Sequence, residues 1–239
     1  MYIDPYYIML VVPTLIISLI AQAKVKSTFS KYSKQASKRG MNGAQAAQLL
    51  LRANDITDVR IEHVAGSLTD HYAPTQKVLR LSDSVYSQTS IAAIGVAAHE
   101  TGHAIQHARG YAPLWLRSAI VPVANFGSKF GPLLAIIGLG FGYGTSGNGG
   151  SSPIGELLVN IGLVLFSASV IFSLITLPVE FNASHRAIKI LRQTNTLDEE
   201  ELRGTKKVLA AAAMTYVASA LTAIASFLRI LLISKNRRR

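Results

Sequence analysis

Cysteine is absent from the 239 residues, so the chain has no disulfide framework and any metal site must be built from nitrogen and oxygen ligands. Its absence fits a reducing compartment. Acidic residues are scarce, 13 against 24 lysines and arginines, giving a formal net charge of +11 and a sequence pI of about 10.0. Such an excess raises nucleic acid as a partner. No basic stripe interleaved with aromatics lies outside the flanks of the apolar runs, however, and nucleic-acid binding is set aside on that ground. No internal repeat is present. What is plentiful is apolar: hydrophobic residues make up 49% of the chain, and the mean hydropathy of +0.31 is too high for one ordinary soluble domain. The lipid bilayer is the expected partner.

Four apolar runs are long enough to cross a hydrocarbon core, which takes about 20 residues: Tyr6 to Ala23, Ala119 to Tyr143, Ile154 to Leu177 and Val208 to Ile233. The first ends in Ala21-Gln22-Ala23, like a signal-peptidase site, but Asp4 and no cation precedes it. Lys24, Lys26, Lys31, Lys34, Lys38 and Arg39 follow at once and resist translocation, so the run reads as a retained anchor. Pro122, Lys129, Pro132 and several glycines interrupt the second run, which is expected to lie partly along the interface or inside a bundle, where Lys129 would need a partner. Small residues from Ala210 to Ala220 suit the fourth run to close helix packing.

Charge placement orients these runs. Arg186, Lys189, Arg192, Arg203, Lys206 and Lys207 lie between the third and fourth, and Lys235, Arg237, Arg238 and Arg239 follow the last. Gly144 to Pro153 carries no charge and reads as a short external loop. The N-terminus is then outside, and Lys24 to Arg117, Pro178 to Lys207 and the C-terminus are cytoplasmic.

In the cytoplasmic part, Asn42 with Gln45 three residues on predicts a capped helix through Leu51. Val59 to Val64, Leu68 to Tyr72 and Lys77 to Leu81 have strand-like composition, with a turn at Ala73-Pro74-Thr75-Gln76. They predict a small antiparallel sheet. Ser82 and Ser90 are candidate N-caps, Ser90 opening a helix that stops near Gly110.

On that helix stands His99-Glu100-Thr101-Gly102-His103, an H-E-x-x-H motif. Side chains four apart share a helix face, so both imidazoles can grip one Zn²⁺ while Glu100 serves as general base to an activated water. From Val96 to Ile105 every other residue is small, apolar or uncharged, unlike a solvated helix face.

A catalytic zinc usually takes a third protein ligand. His107 is carried about 12 Å along the helix from His99, too far to close on one ion, so it reads as supporting, substrate-facing or surface polar. Glu180 is the better candidate. It follows Pro178 and is expected to open a helix whose Ala183 and Ala187 permit close approach, with Ser184 able to hydrogen-bond a liganding imidazole. Without the histidine helix, Glu180 would read as a boundary residue or a partner of Arg186. An oxyanion needs a hydrogen-bond donor, and His71, Tyr72, His185 and Arg186 are candidates.

Several strings resemble the YugP-type membrane zinc metallopeptidases of bacteria: 24–29, 68–72, 80–86, the His99 helix with Gln106, and 177–184. The resemblance implies an integral membrane metallopeptidase, and the order of sheet, H-E-x-x-H helix and glutamate helix is similar to membrane gluzincins of the HtpX type. Those place an aspartate four residues after the glutamate ligand; this chain has Ser184.

The expected protein is mainly α, an integral membrane protein with about four transmembrane helices and a cytoplasmic zincin-like α+β part holding the sheet and the H-E-x-x-H helix. Its segments are an anchor at 1–23, a cytoplasmic region at 24–117, two transmembrane helices and their external loop at 118–178, a ligand-bearing segment at 179–207, and a last transmembrane helix with basic tail at 208–239. The expected activity is cleavage of a protein or peptide substrate by water activated on one zinc ion, in a bacterial cell membrane. Two rivals share these residues: a non-catalytic scaffold tied by zinc, and an intramembrane protease. The second would want an aspartate in an apolar run, and none is there.

Overall fold

The structure is a computed structural model that describes residues 4–144 and 152–237. A π-helical turn, Tyr7–Val11, leads into helix α1 (Val12–Tyr32). Then come α2 (Gly43–Arg52), strands β1 (Arg60–Val64), β2 (His71–Ala73) and β3 (Val78–Ser82), and α3 (Ile91–Ala108). Three long helices complete the chain: α4 (Ala112–Gly144), α5 (Pro153–Gln193) and α6 (Glu199–Arg237). The expected external loop falls almost wholly outside the described residues.

Among the described residues four helices are long and apolar enough to cross a membrane: Tyr7–Tyr32, Ala112–Phe141, Pro153–Gln193 and Glu199–Asn236. All exceed their apolar runs because polar residues continue the same helices. The second run is one unbroken helix despite Pro122 and Pro132, since an apolar helix keeps the rest of its hydrogen-bond ladder around a proline. Lys129 on it is exposed, not enclosed. Pro178 likewise sits inside α5, so Glu180 does not open a helix; it rides on the continuation of the third apolar run.

The chain divides into two compact units, and α1, α4, α5 and α6 contribute to both. One comprises the described parts of Met1–Ile20, Leu116–Leu177 and Tyr216–Arg239. Its small core joins Ala135 of α4, Phe166 of α5 and Ile230 of α6. A Cβ on Gly131 would meet the Gly162 carbonyl oxygen at 2.8 Å, and one on Gly162 would meet that of Gly131 at 2.6 Å. Only glycine lets α4 and α5 come this close, the usual way apolar helices associate in lipid. Outward apolar residues such as Val164, 71% exposed, suit a hydrocarbon surround. Arg229 is held by Asp4 at 2.6 Å and stacks over the Tyr7 ring at 5.0 Å.

The other unit, Ala21–Trp115 with Pro178–Thr215, holds the larger core, drawn from α2, β3, α3, α5 and α6 and including Leu50, Leu79, Ile94, Leu191 and Leu209. Asn42 caps α2 reciprocally: its Oδ1 accepts from the Gln45 N–H at 2.8 Å, and its own N–H donates to Gln45 Oε1 at 3.0 Å.

The sheet is mixed rather than antiparallel. Its order is β1-β3-β2, with β3 antiparallel to β2 but parallel to β1. The cause is polarity. Val78, Leu79 and Leu81 are fully buried, so the apolar β3 takes the centre, while β1 and the three-residue β2 have exposed positions that suit edges. A meander with β2 central would bury His71. Ser82 ends β3 and caps no helix; its N–H and hydroxyl donate to the Asp70 carboxylate at 2.7 and 2.9 Å.

Candidate metal centre

Helix α3 starts where the Ser90 hydroxyl accepts from the Ala93 N–H at 3.2 Å. It ends at Gly110, whose φ of +62° lets the Tyr111 N–H turn back to the Gln106 carbonyl at 2.9 Å. Along this helix His99 and His103 lie one turn apart, with ring centroids 4.8 Å from each other and planes at 85°. Glu180 of α5, 2% exposed, brings Oε2 to 3.2 Å from His99 Nε2 and 3.6 Å from His103 Nε2. One donor atom from each of the three residues lies within 4.8 Å of the others. His107 is not in this cluster.

Approach this close depends on small residues. A Cβ on Gly102 would stand 2.6 Å from the Ala183 carbonyl oxygen, and Ala183 and Ala187 are fully buried. Two turns earlier on nearly the same face of α3, Gly95 admits Thr205 of α6, whose hydroxyl donates to the Ile91 carbonyl at 3.3 Å.

The outer nitrogen of each imidazole has its own partner. Ser184 Oγ is 3.1 Å from His99 Nδ1, and Gln106 Oε1 is 3.0 Å from His103 Nδ1. The Gln106 amide is itself fixed, because its Nε2 donates to the Val179 carbonyl at 2.8 Å and to Asn182 Oδ1 at 3.0 Å. With the amide oxygen so turned, Gln106 Oε1 accepts from His103 Nδ1, and Nε2 is the ring nitrogen that faces Glu180. Gln106 and Asn182 were not picked out as site residues from the sequence. The available signal was the spacing of Gln106, three residues after His103 on the same helix.

Glu100 is 8% exposed, and among the described residues it has neither a hydrogen-bond nor an ion-pair partner. Burial works against the His103 cation, yet the Glu180 and Glu100 carboxylates and Gln106 outweigh it and raise the His103 pKa above the ordinary imidazole value.

The remaining candidates are spread around this cluster. Tyr72 Oη and His107 Nδ1 are 2.8 Å apart. Burial, with the Asp58 charge adding to it, pushes the Tyr72 phenol up to about 12, so Tyr72 keeps its proton and has it available for the contact with His107 Nδ1. His71 is exposed, its Nδ1 2.9 Å from the Thr69 carbonyl. His185 is also exposed and lines a groove between α5 and α6. Arg186 donates to Asn182 Oδ1 at 2.7 Å and lies over the Tyr111 ring at 5.9 Å.

The residues fit a zinc ion. Two imidazoles and a carboxylate are a catalytic donor set, and the partners of both Nδ1 atoms leave both Nε2 atoms turned inward. Residues 7–235 match the protein family described as "Putative neutral zinc metallopeptidase". The chain belongs to this family. It is 47% identical over 233 residues to the "Putative membrane protease YugP" of Bacillus subtilis (strain 168), covering 97% of this chain and 98% of that protein. No solved structure matches. The resemblance seen in separate sequence strings therefore extends over nearly the whole chain, and the relative's name agrees with the four helices long and apolar enough to cross a membrane among the described residues.

Proposed function

We propose that this family member is a multi-pass membrane zinc endopeptidase whose site faces the cytoplasm. The observation that carries the reading is the convergence of His99, His103 and Glu180 within 4.8 Å, next in sequence to a buried carboxylate, Glu100, that no ion pair occupies among the described residues.

Zinc bound by His99, His103 and Glu180 supplies Lewis acidity toward water and a scissile carbonyl. Glu100 accepts the proton that the attacking water gives up and passes it to the leaving amine. Ser184 and Gln106 hold the two imidazoles in orientation. Tyr72 donates into His107 Nδ1, which keeps the His107 proton on Nε2 as a donor for a substrate carbonyl.

β3 is the central strand, so it offers an extended substrate no free edge. The edge strand that packs on α3 is β2, and an extended peptide pairing with His71–Ala73 would run beside the histidine helix. The intramembrane reading has little support: α3 is not among the helices apolar and long enough to cross a membrane.

The test is zinc content and cleavage of an unfolded polypeptide by purified full-length protein in mild detergent. One zinc per chain is expected, with cleavage lost on chelation and restored by zinc. Stoichiometric zinc without cleavage of any polypeptide would favour the scaffold.

A further inference from the structure

Between α5 and α6 lies a groove of about 460 Å³ that the proposed chemistry does not use. Its lining changes character along its length. On α6 its charges, Glu199, Arg203 and Lys206, flank Leu202 and give way to Leu209, Ala210 and Ala213. On α5 it passes from Arg192 through Ile188 and His185 to Phe181, an aromatic ring left 48% exposed. Arg192 is already engaged by Glu199, at 2.7 and 3.1 Å. Arg203 and Lys206 are exposed and lie beyond ion-pair distance of any carboxylate among the described residues, Arg203 acting on the Glu199 carboxylate only through space.

The apolar residues of the groove lie next in sequence to the ends of two apolar runs: Leu209 follows Val208, which begins the run on α6, and Phe181 comes four residues after Leu177, which closes the one on α5. Cations where the helices leave the apolar region, followed by an apolar trough directed into it, match the two halves of an amphiphile. A peptide segment would have no need of that gradient. We propose that this groove binds one anionic glycerophospholipid, its phosphate between Arg203 and Lys206 and an acyl chain along Phe181, Leu209 and Ala213. Ser184, the partner of His99 Nδ1, also lines the groove, so the bound lipid lies one side chain from a candidate metal ligand. The proposal rests on the membrane reading of the chain and not on proteolysis.

The experiment is native mass spectrometry of zinc-free full-length protein in neutral detergent, titrated with short-chain phosphatidylglycerol. Phosphatidylcholine, inorganic phosphate and a glutamate-rich peptide are parallel probes. One phosphatidylglycerol per chain is expected, preferred over phosphatidylcholine. A basic residue at an anionic lipid contributes about fivefold, so Arg203→Gln with Lys206→Gln should weaken binding about thirtyfold. Lys24→Gln with Lys26→Gln should leave binding unchanged. Ala210→Trp, which fills the apolar trough and leaves every charge in place, should also abolish it, and this covers the case in which the charge variant misfolds. Equal loss in the Lys24/Lys26 control, equal binding of phosphatidylcholine, tighter binding of the peptide, or displacement by phosphate alone would each overturn the proposal. Zinc and activity enter none of these readouts, so failure here leaves the metallopeptidase reading intact.

Discussion

A Cβ on Gly102 would stand 2.6 Å from the carbonyl oxygen of Ala183, so the glycine inside the H-E-x-x-H motif fixes how closely α3 approaches α5. Gly102→Ala should force the helices apart at a cost of about 1–3 kcal/mol. Because His99 and His103 are on one helix and Glu180 on the other, zinc affinity should drop at least as far as thermal stability does. Calorimetry with and without zinc reads both. Unchanged affinity in a destabilised variant would separate the glycine from the metal site.

Glu180→Ala should lose zinc, whereas His107→Ala should keep it and at most alter turnover. Metal analysis of the two folded variants decides, and the reverse pattern would contradict the ligand set.

Gln106→Leu removes the acceptor for His103 Nδ1 and the donor to Val179 and Asn182. Loss of such a supporting partner typically weakens metal binding about 10- to 100-fold. Gln106→Glu keeps an acceptor for Nδ1 and should retain more affinity than Gln106→Leu. Competition against a chelator measures both, and equal affinities would deny Gln106 its orienting role.

The sequence made the site more legible than its scaffold. Two histidines one turn apart need only helical periodicity to share a face, and the alanines at 183 and 187 announced close packing. The capping box at Asn42 and Gln45 and the cap at Ser90 are local hydrogen bonds, readable from residue type and spacing. Pairing in the sheet is not local: β1 lies parallel to β3 because the apolar β3 competes for the centre, a choice made by the whole core. Pro178 read as a helix start because proline favours that position, yet a long apolar helix absorbs it. Gln106 was read only as part of a family-like string and not as a site residue, because its link to the site runs through the Val179 carbonyl, 73 residues away in the chain.

The topology proposal predicts that residues 24–117 are cytoplasmic and 144–153 external. Single cysteines replacing Ser33, Ser146 or Lys235 have no native thiol as background. In intact cells an impermeant thiol reagent should label only the cysteine at position 146. Labelling at position 33 would place the metal site outside.

The central claim is tested most directly by comparing wild type with Glu100→Gln in one paired measurement of zinc stoichiometry and single-turnover cleavage. Glu100 is proposed as the base and not as a ligand, so the variant should hold zinc at the wild-type ratio while cleavage falls about 10²- to 10⁴-fold, the range that general acid–base catalysis contributes. Cleavage at the wild-type rate by zinc-replete Glu100→Gln protein would contradict it.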